Sequence, residues 1–177
     1  MRVYWPTTLS ALAEAVASGL ICSAPVTVHA VTATLRDFYA DADPRELDEE
    51  LEYVAMTDAA EQSVRRLAGP DGVDTPPRRV VLALDVADPA GPPARPAGWA
   101  APDRSQVELP YDLRIEDLVS VHVDAEEAEA EVRAAVVALP GADAGEEAAR
   151  FTVEACEGHD LLWYDATEIP LLLAVES

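Results

Sequence analysis

The spacing of apolar and polar residues changes period abruptly at one place in this chain. Over 118–124, Val119, Val121 and Val123 alternate with Ser120, His122 and Asp124, the two-residue period of a half-buried strand. From there on, Ala125, Ala128, Val132, Ala135, Val136 and Leu139 recur at helical spacing, with Glu126, Glu127, Glu129 and Glu131 on the other faces. Asp124 followed three residues later by Glu127 is a capping-box pair, so Asp124 is expected to cap the helix.

The same reading extends along the chain. Residues 2–5 form a short strand broken by Pro6, and Thr7 or Thr8 caps a helix striped by Leu9, Leu12, Val16 and Leu20 and stopped at Gly19. A strand over 25–31 places Val26, Val28 and Ala30 on one face and Thr27, His29 and Val31 on the other. Strand, helix and strand in this length predict a right-handed crossover between parallel strands. A short helical piece at 35–39 precedes Asp43-Pro44, where an N-cap, a first-turn proline and Glu46 open a long helix. It runs to about Ala68 on a stripe of Leu47, Leu51, Val54, Ala55, Val64 and Leu67. Asp48, Glu49, Glu50 and Glu52 crowd its start and Arg65 and Arg66 its end, matching the helix dipole.

Residues 79–86 are nearly all apolar, as in a central strand covered on both faces, with Asp85 its one late charge. A Pro-rich stretch, 88–104, reads as a mobile loop carrying Trp99, and 105–109 as an edge strand. Pro140-Gly141 should end the helix after Asp124. Asp143 with Glu146 starts another, striped by Ala148, Phe151, Thr152 and Ala155 and closed at Gly158. The apolar strand 161–164 places Trp163 in the core; Asp165 and Glu168 cap one more turn before Pro170, and 171–177 is a tail. The expected architecture is α/β: one domain over 1–170 with a single mixed sheet of five to six short strands and helices packed on it, α+β being the alternative.

Charge alters this picture. Twelve basic residues, all arginine, face 34 acidic ones, a formal net charge of −22. Lysine and asparagine are both absent, which their AA-starting codons explain through a GC-rich coding sequence. So negative a field repels nucleic acid and anionic membranes, and leaves a basic protein partner as the expected kind of ligand. The uncharged run 15–35 is interrupted by Pro25 and His29 and is not expected to span a bilayer or direct export; a cytoplasmic location is expected. Cys22 and Cys156 lack any CxxC companion and read as buried free thiols.

Phosphate-binding glycine loops, a P-loop lysine, lysine Schiff-base chemistry and a GxSxG elbow are all absent, and no cofactor is expected. The sharpest chemical candidate is Asp85, His122 and Asp124, each near a strand end, with His29 in the neighbouring unit. One imidazole and two carboxylates can hold a divalent cation or act as a base and its orienter. A second cluster, His159, Asp160, Tyr164, Asp165 and Glu168, is largely explained by helix ends. Trp99 and the carboxylates Glu49, Glu50 and Glu52 are candidate partner contacts. The leading expectation is an acidic protein acting through a protein partner; the alternative is a small metal-assisted enzyme using Asp85, His122 and Asp124, and a nucleic-acid mimic is a third reading.

The stretches MRVY before Pro6, ELEY at 50–53, RRVV at 78–81, VHVD at 121–124 and GHDLLWYDATEIP at 158–170 span nearly the whole length. In these the chain resembles an actinobacterial family known only as a domain of unknown function. The resemblance implies a cytoplasmic protein of a GC-rich bacterium and carries no reaction, ligand or catalytic residue.

Overall fold

A computed structural model describes residues 1–39, 47–88 and 104–175. The strands are β1 (Arg2–Thr7), β2 (Leu20–Cys22), β3 (Val26–His29), β4 (Val80–Asp85), β5 (Gln106–Leu109), β6 (Leu113–Arg114), β7 (Leu118–Asp124) and β8 (Leu161–Asp165). The α-helices are α1 (Leu9–Ser18), α2 (Ala33–Phe38), α3 (Leu47–Leu67), α4 (Glu129–Asp143), α5 (Glu147–Ala155) and α6 (Ile169–Val175). Six strands form one sheet in the order β5-β3-β1-β4-β7-β8, while β2 and β6 make a separate pair. Every pairing among the described residues is antiparallel.

The expected sheet with helices packed on it is therefore present, but the parallel crossover is not. Tyr4 of β1 stands opposite His29 of β3 in antiparallel register. Between them the chain uses Leu20–Cys22 for β2, against β6, and this extra reversal leaves no mark in the apolar periodicity. Around it the local signals hold: the Thr8 side chain accepts from the Ala11 N–H, and Gly19 closes α1 at φ +77°, a conformation that favours glycine.

One sheet face carries the main core, with Val3, Val28, Leu82, Leu84 and Val121 packed against Leu12 of α1 and Ile169 and Leu172 of α6. The other face takes α3, where Tyr4, Val81 and Ala83 meet Ala55, Ala59 and Ala60. The small alanine side chains of α3 form its surface toward the strands. β4 is central and buried on both sides, as its unbroken apolar run predicted. Val64 and Leu67 at the end of α3 join Val132, Ala135 and Leu139 of α4 in a third cluster.

Several expectations are corrected. The helix after β7 does not stop at Pro140: Ala144 N–H reaches the Pro140 carbonyl at 3.1 Å, Glu146 N–H reaches Gly141 at 2.9 Å, and Asp143 is gripped by Arg65. Asp143 is thus an ion-pair partner, and no side chain caps α5. Phe151 is 73% exposed, so the stripe on α5 is not a buried one. Residues 171–175, expected in the tail, continue α6, which buries Leu172. Pro170 is tolerated there because it occupies the first turn, where its missing N–H has no helical partner to lose. Cys156 is buried, whereas Cys22 is only partly so. The cap signals at Asp43, Pro44 and Glu46, and the Pro-rich loop with Trp99, lie outside the described residues.

Candidate functional site

Where β4 begins, two consecutive arginines tie three elements together. The Arg79 backbone N–H and Nε donate to Asp124 Oδ2 at 2.8 and 2.9 Å, and Nη2 donates to Oδ1 at 2.7 Å. A fourth bond runs from Nη2 to the His159 carbonyl at 2.7 Å. Burial works against the Arg79 charge, but the hydrogen bond and charge of Asp124 outweigh it and hold its pKa above the ordinary value. Arg78 meets Glu129 at 2.9 Å and Glu126 at 3.3 Å at the head of α4. Asp124 is therefore not the expected helix cap; a short 3-10 turn from Glu126 follows Ala125, without any side-chain cap. A bidentate, charge-assisted pair with a guanidinium is a stronger use of a buried carboxylate than a neutral amide.

The structure does not bring Asp85, His122 and Asp124 together. In register, Val81 faces His122 and Val80 faces Val123, so Asp85 lies four residues beyond the His122 level, about 13 Å at ~3.3 Å per residue. Asp85 is exposed and bonded to Arg2 at 2.8 and 3.1 Å, and that hydrogen bond holds its pKa below the usual carboxylate range. His122 shares a sheet face with Asp124 but its Nε2 contacts Ser120 Oγ at 3.3 Å. Burial, with a smaller contribution from Arg2, lowers the His122 pKa and favours the neutral imidazole. No group of three His, Cys, Asp or Glu among the described residues is placed to hold a metal ion.

A polar cluster that sequence reasoning missed joins α3, β3 and the entry to β5. Ser105 Oγ donates to Asp58 Oδ2 at 2.5 Å and lies 2.8 Å from His29 Nδ1. His29 and Ser105 are buried. Serine stands in the middle here, whereas nucleophile activation requires the imidazole between hydroxyl and carboxylate. The cluster adjoins a cavity of about 510 Å³ lined by Trp5, Thr27, His29, Gln62, Arg65 and Arg66, among others. Both arginines there are already engaged, Arg65 with Asp143 and Arg66 with Asp71 and the Trp5 ring. Of the cluster's members the sequence singled out His29 alone, with the Asp85 group; Asp58, beside Leu51 and Ala55 of the α3 stripe, was a further signal.

Two of the exposed apolar side chains, Leu162 and Trp163, lie on β8. This strand is the sheet's edge, paired in register with β7 from Ser120 opposite Asp165 to Asp124 opposite Leu161, and with no third strand beyond it among the described residues. Leu162 and Trp163 point to opposite faces and are 45% and 59% exposed. Trp163 is thus not the core residue its apolar neighbours suggested. Asp160, Asp165 and Glu168 flank the strand, the last two forming the expected capping box. At its head a pocket of about 220 Å³ is lined by Tyr53, Met56, Arg79, Glu157, His159 and Asp160, with Leu161 beside them. His159 stands at a helix end as expected, closing the 3-10 turn Cys156–Gly158 with its N–H on the Cys156 carbonyl, and its Nε2 lies 3.8 Å from Glu131.

Of the acidic partner candidates, Glu52 accepts from the Tyr4 hydroxyl at 3.4 Å, and burial together with that carboxylate pushes the Tyr4 pKa up to about 12. Glu49 and Glu50 stay exposed beside Tyr39 and Tyr53. No helix among the described residues is long and apolar enough to cross a membrane.

No curated protein and no solved structure matches this chain. Residues 1–173 match the family of unknown function DUF6912, and the chain belongs to that family.

Proposed function

We propose that this protein is an acidic binding module that receives an extended, basic segment of a partner protein as an added strand along β8. The observation that carries the reading is an edge strand exposing Leu162 and Trp163 between Asp160 and Asp165. Proteins usually blunt such edges with basic residues, bulges or a covering element, because the outward N–H and C=O groups recruit another strand. Here the edge is apolar at its centre and acidic at its ends. The opposite edge, β5, is different: Val107 and Leu109 are buried. A net charge of −22 selects a basic occupant and disfavours a second copy of the same chain.

The test is a panel of extended peptides, basic, neutral and acidic, titrated onto the full chain while amide exchange is followed along β8. Basic peptides should bind most tightly, weaken with salt, slow exchange over 161–164, and lose affinity in Leu162→Asp and Trp163→Asp variants. Binding that leaves the β8 amides unprotected, or that favours acidic peptides, would refute the reading.

A further inference from the structure

Resting on the strand-addition reading, we infer that the pocket at the head of β8 receives one cationic side chain, arginine or lysine, from the added strand, at the position opposite Leu161. The side chains of Leu161, Trp163 and Asp165 share the face on which α3 packs, since His122 stands between Val81 and Trp163 in register and Leu161 packs against the Tyr4, Ala55 and Val81 cluster. A strand laid beside β8 sets the residue opposite Leu161 on that same face, next to the pocket mouth.

Size decides between a side chain and a metabolite. At about 220 Å³ the pocket falls below the roughly 300–1,000 Å³ of small-molecule sites. Charge decides which side chain. Arg79 in the wall is neutralised by Asp124, with which it makes a bidentate pair. Glu157 and Asp160 are exposed carboxylates. The Tyr53 ring, 60% exposed, adds a face on which a cation can stack. Two residues further along, the added strand meets Trp163, which favours an apolar or aromatic side chain. The recognised pattern is then a cation, any residue, and an apolar residue.

The experiment uses two labelled nine-residue peptides of alternating Thr and Val, capped at both termini and without any other charged residue, one with Arg at its centre and one with norleucine there. Fluorescence anisotropy on the full chain should show the Arg peptide bound about tenfold or more tightly. In a Glu157→Gln/Asp160→Asn variant that preference should fall to about onefold while the norleucine peptide binds as before. Equal binding of both peptides to the wild type, with the β8 amides protected, overturns the cation pocket and leaves strand addition standing. So does a preference that survives in the double variant. Failure of both peptides to bind overturns strand addition and the pocket with it.

Discussion

Arg79 and Asp124 lie beside one another where β4 starts and β7 ends, joined by three hydrogen bonds, with the side chains 4% and 0% exposed. Removing one partner of such a pair leaves the other charge buried and unopposed, which costs about 3–5 kcal/mol, far above the ~0–1 kcal/mol of an exposed pair. Asp124→Asn should lower stability by about that amount in urea unfolding. An Arg79→Met/Asp124→Leu double variant should lose less than the two single variants added together. Additive losses would show that the pair does not act as a unit.

Ser63 bridges two strands from α3. Its Oγ donates to the Thr7 carbonyl at 2.8 Å and accepts from the Val80 N–H at 2.9 Å, all of it buried. Ser63→Ala removes the partner of both backbone groups and should cost about 1–3 kcal/mol. Ser63→Thr keeps the hydroxyl and should recover most of the loss. Thermal unfolding of the two variants compares them directly.

Glycine substitutions should separate sharply. A Cβ on Gly72 would stand 1.8 Å from the Leu67 carbonyl oxygen, which is backbone and cannot rotate away. Gly72→Ala should therefore destabilise by about 1–3 kcal/mol or more. Gly158 has nothing within 4 Å of the same position, and Gly158→Ala should be neutral or stabilising by about 0.4–1 kcal/mol. Parallel urea midpoints measure both.

Acid should act on stability in two windows. Burial lowers the His122 pKa, so the unfolded chain takes up that proton more readily; the stability it contributes is whole above pH ~6.5 and is lost as pH falls through the folded value. Asp85, Asp143 and Asp165 are also lowered, by hydrogen bonds from Arg2, Arg65 and Thr167. Their contribution is whole above the usual carboxylate range and is lost as pH falls further. His122→Gln should flatten the upper window and leave the lower one, as read from urea midpoints across pH.

Much of the local structure was legible in the residues. The Thr8 cap and Gly19 stop of α1, the apolar run of β4, the α4 stripe of Val132, Ala135 and Leu139, and the Asp165–Glu168 box each depend on neighbours within a few positions. The candidate site was legible only in part, because its apolar letters at 161–164 look the same on an edge strand as in a core.

Sequence by itself determined α1, the long helix α3, the strands β4 and β7 and how acidic the molecule is, since those follow from short-range periodicity, capping chemistry and composition. Tertiary structure alone decided the rest: the antiparallel pairing of β1 with β3, the recruitment of Asp124 by Arg79, the meeting of Ser105 with Asp58 and His29, and the exposure of Trp163 at the sheet's rim. Those residues lie tens of positions apart, and which carboxylate a buried guanidinium meets is set by strand order and register, to which helical and strand periodicity are blind.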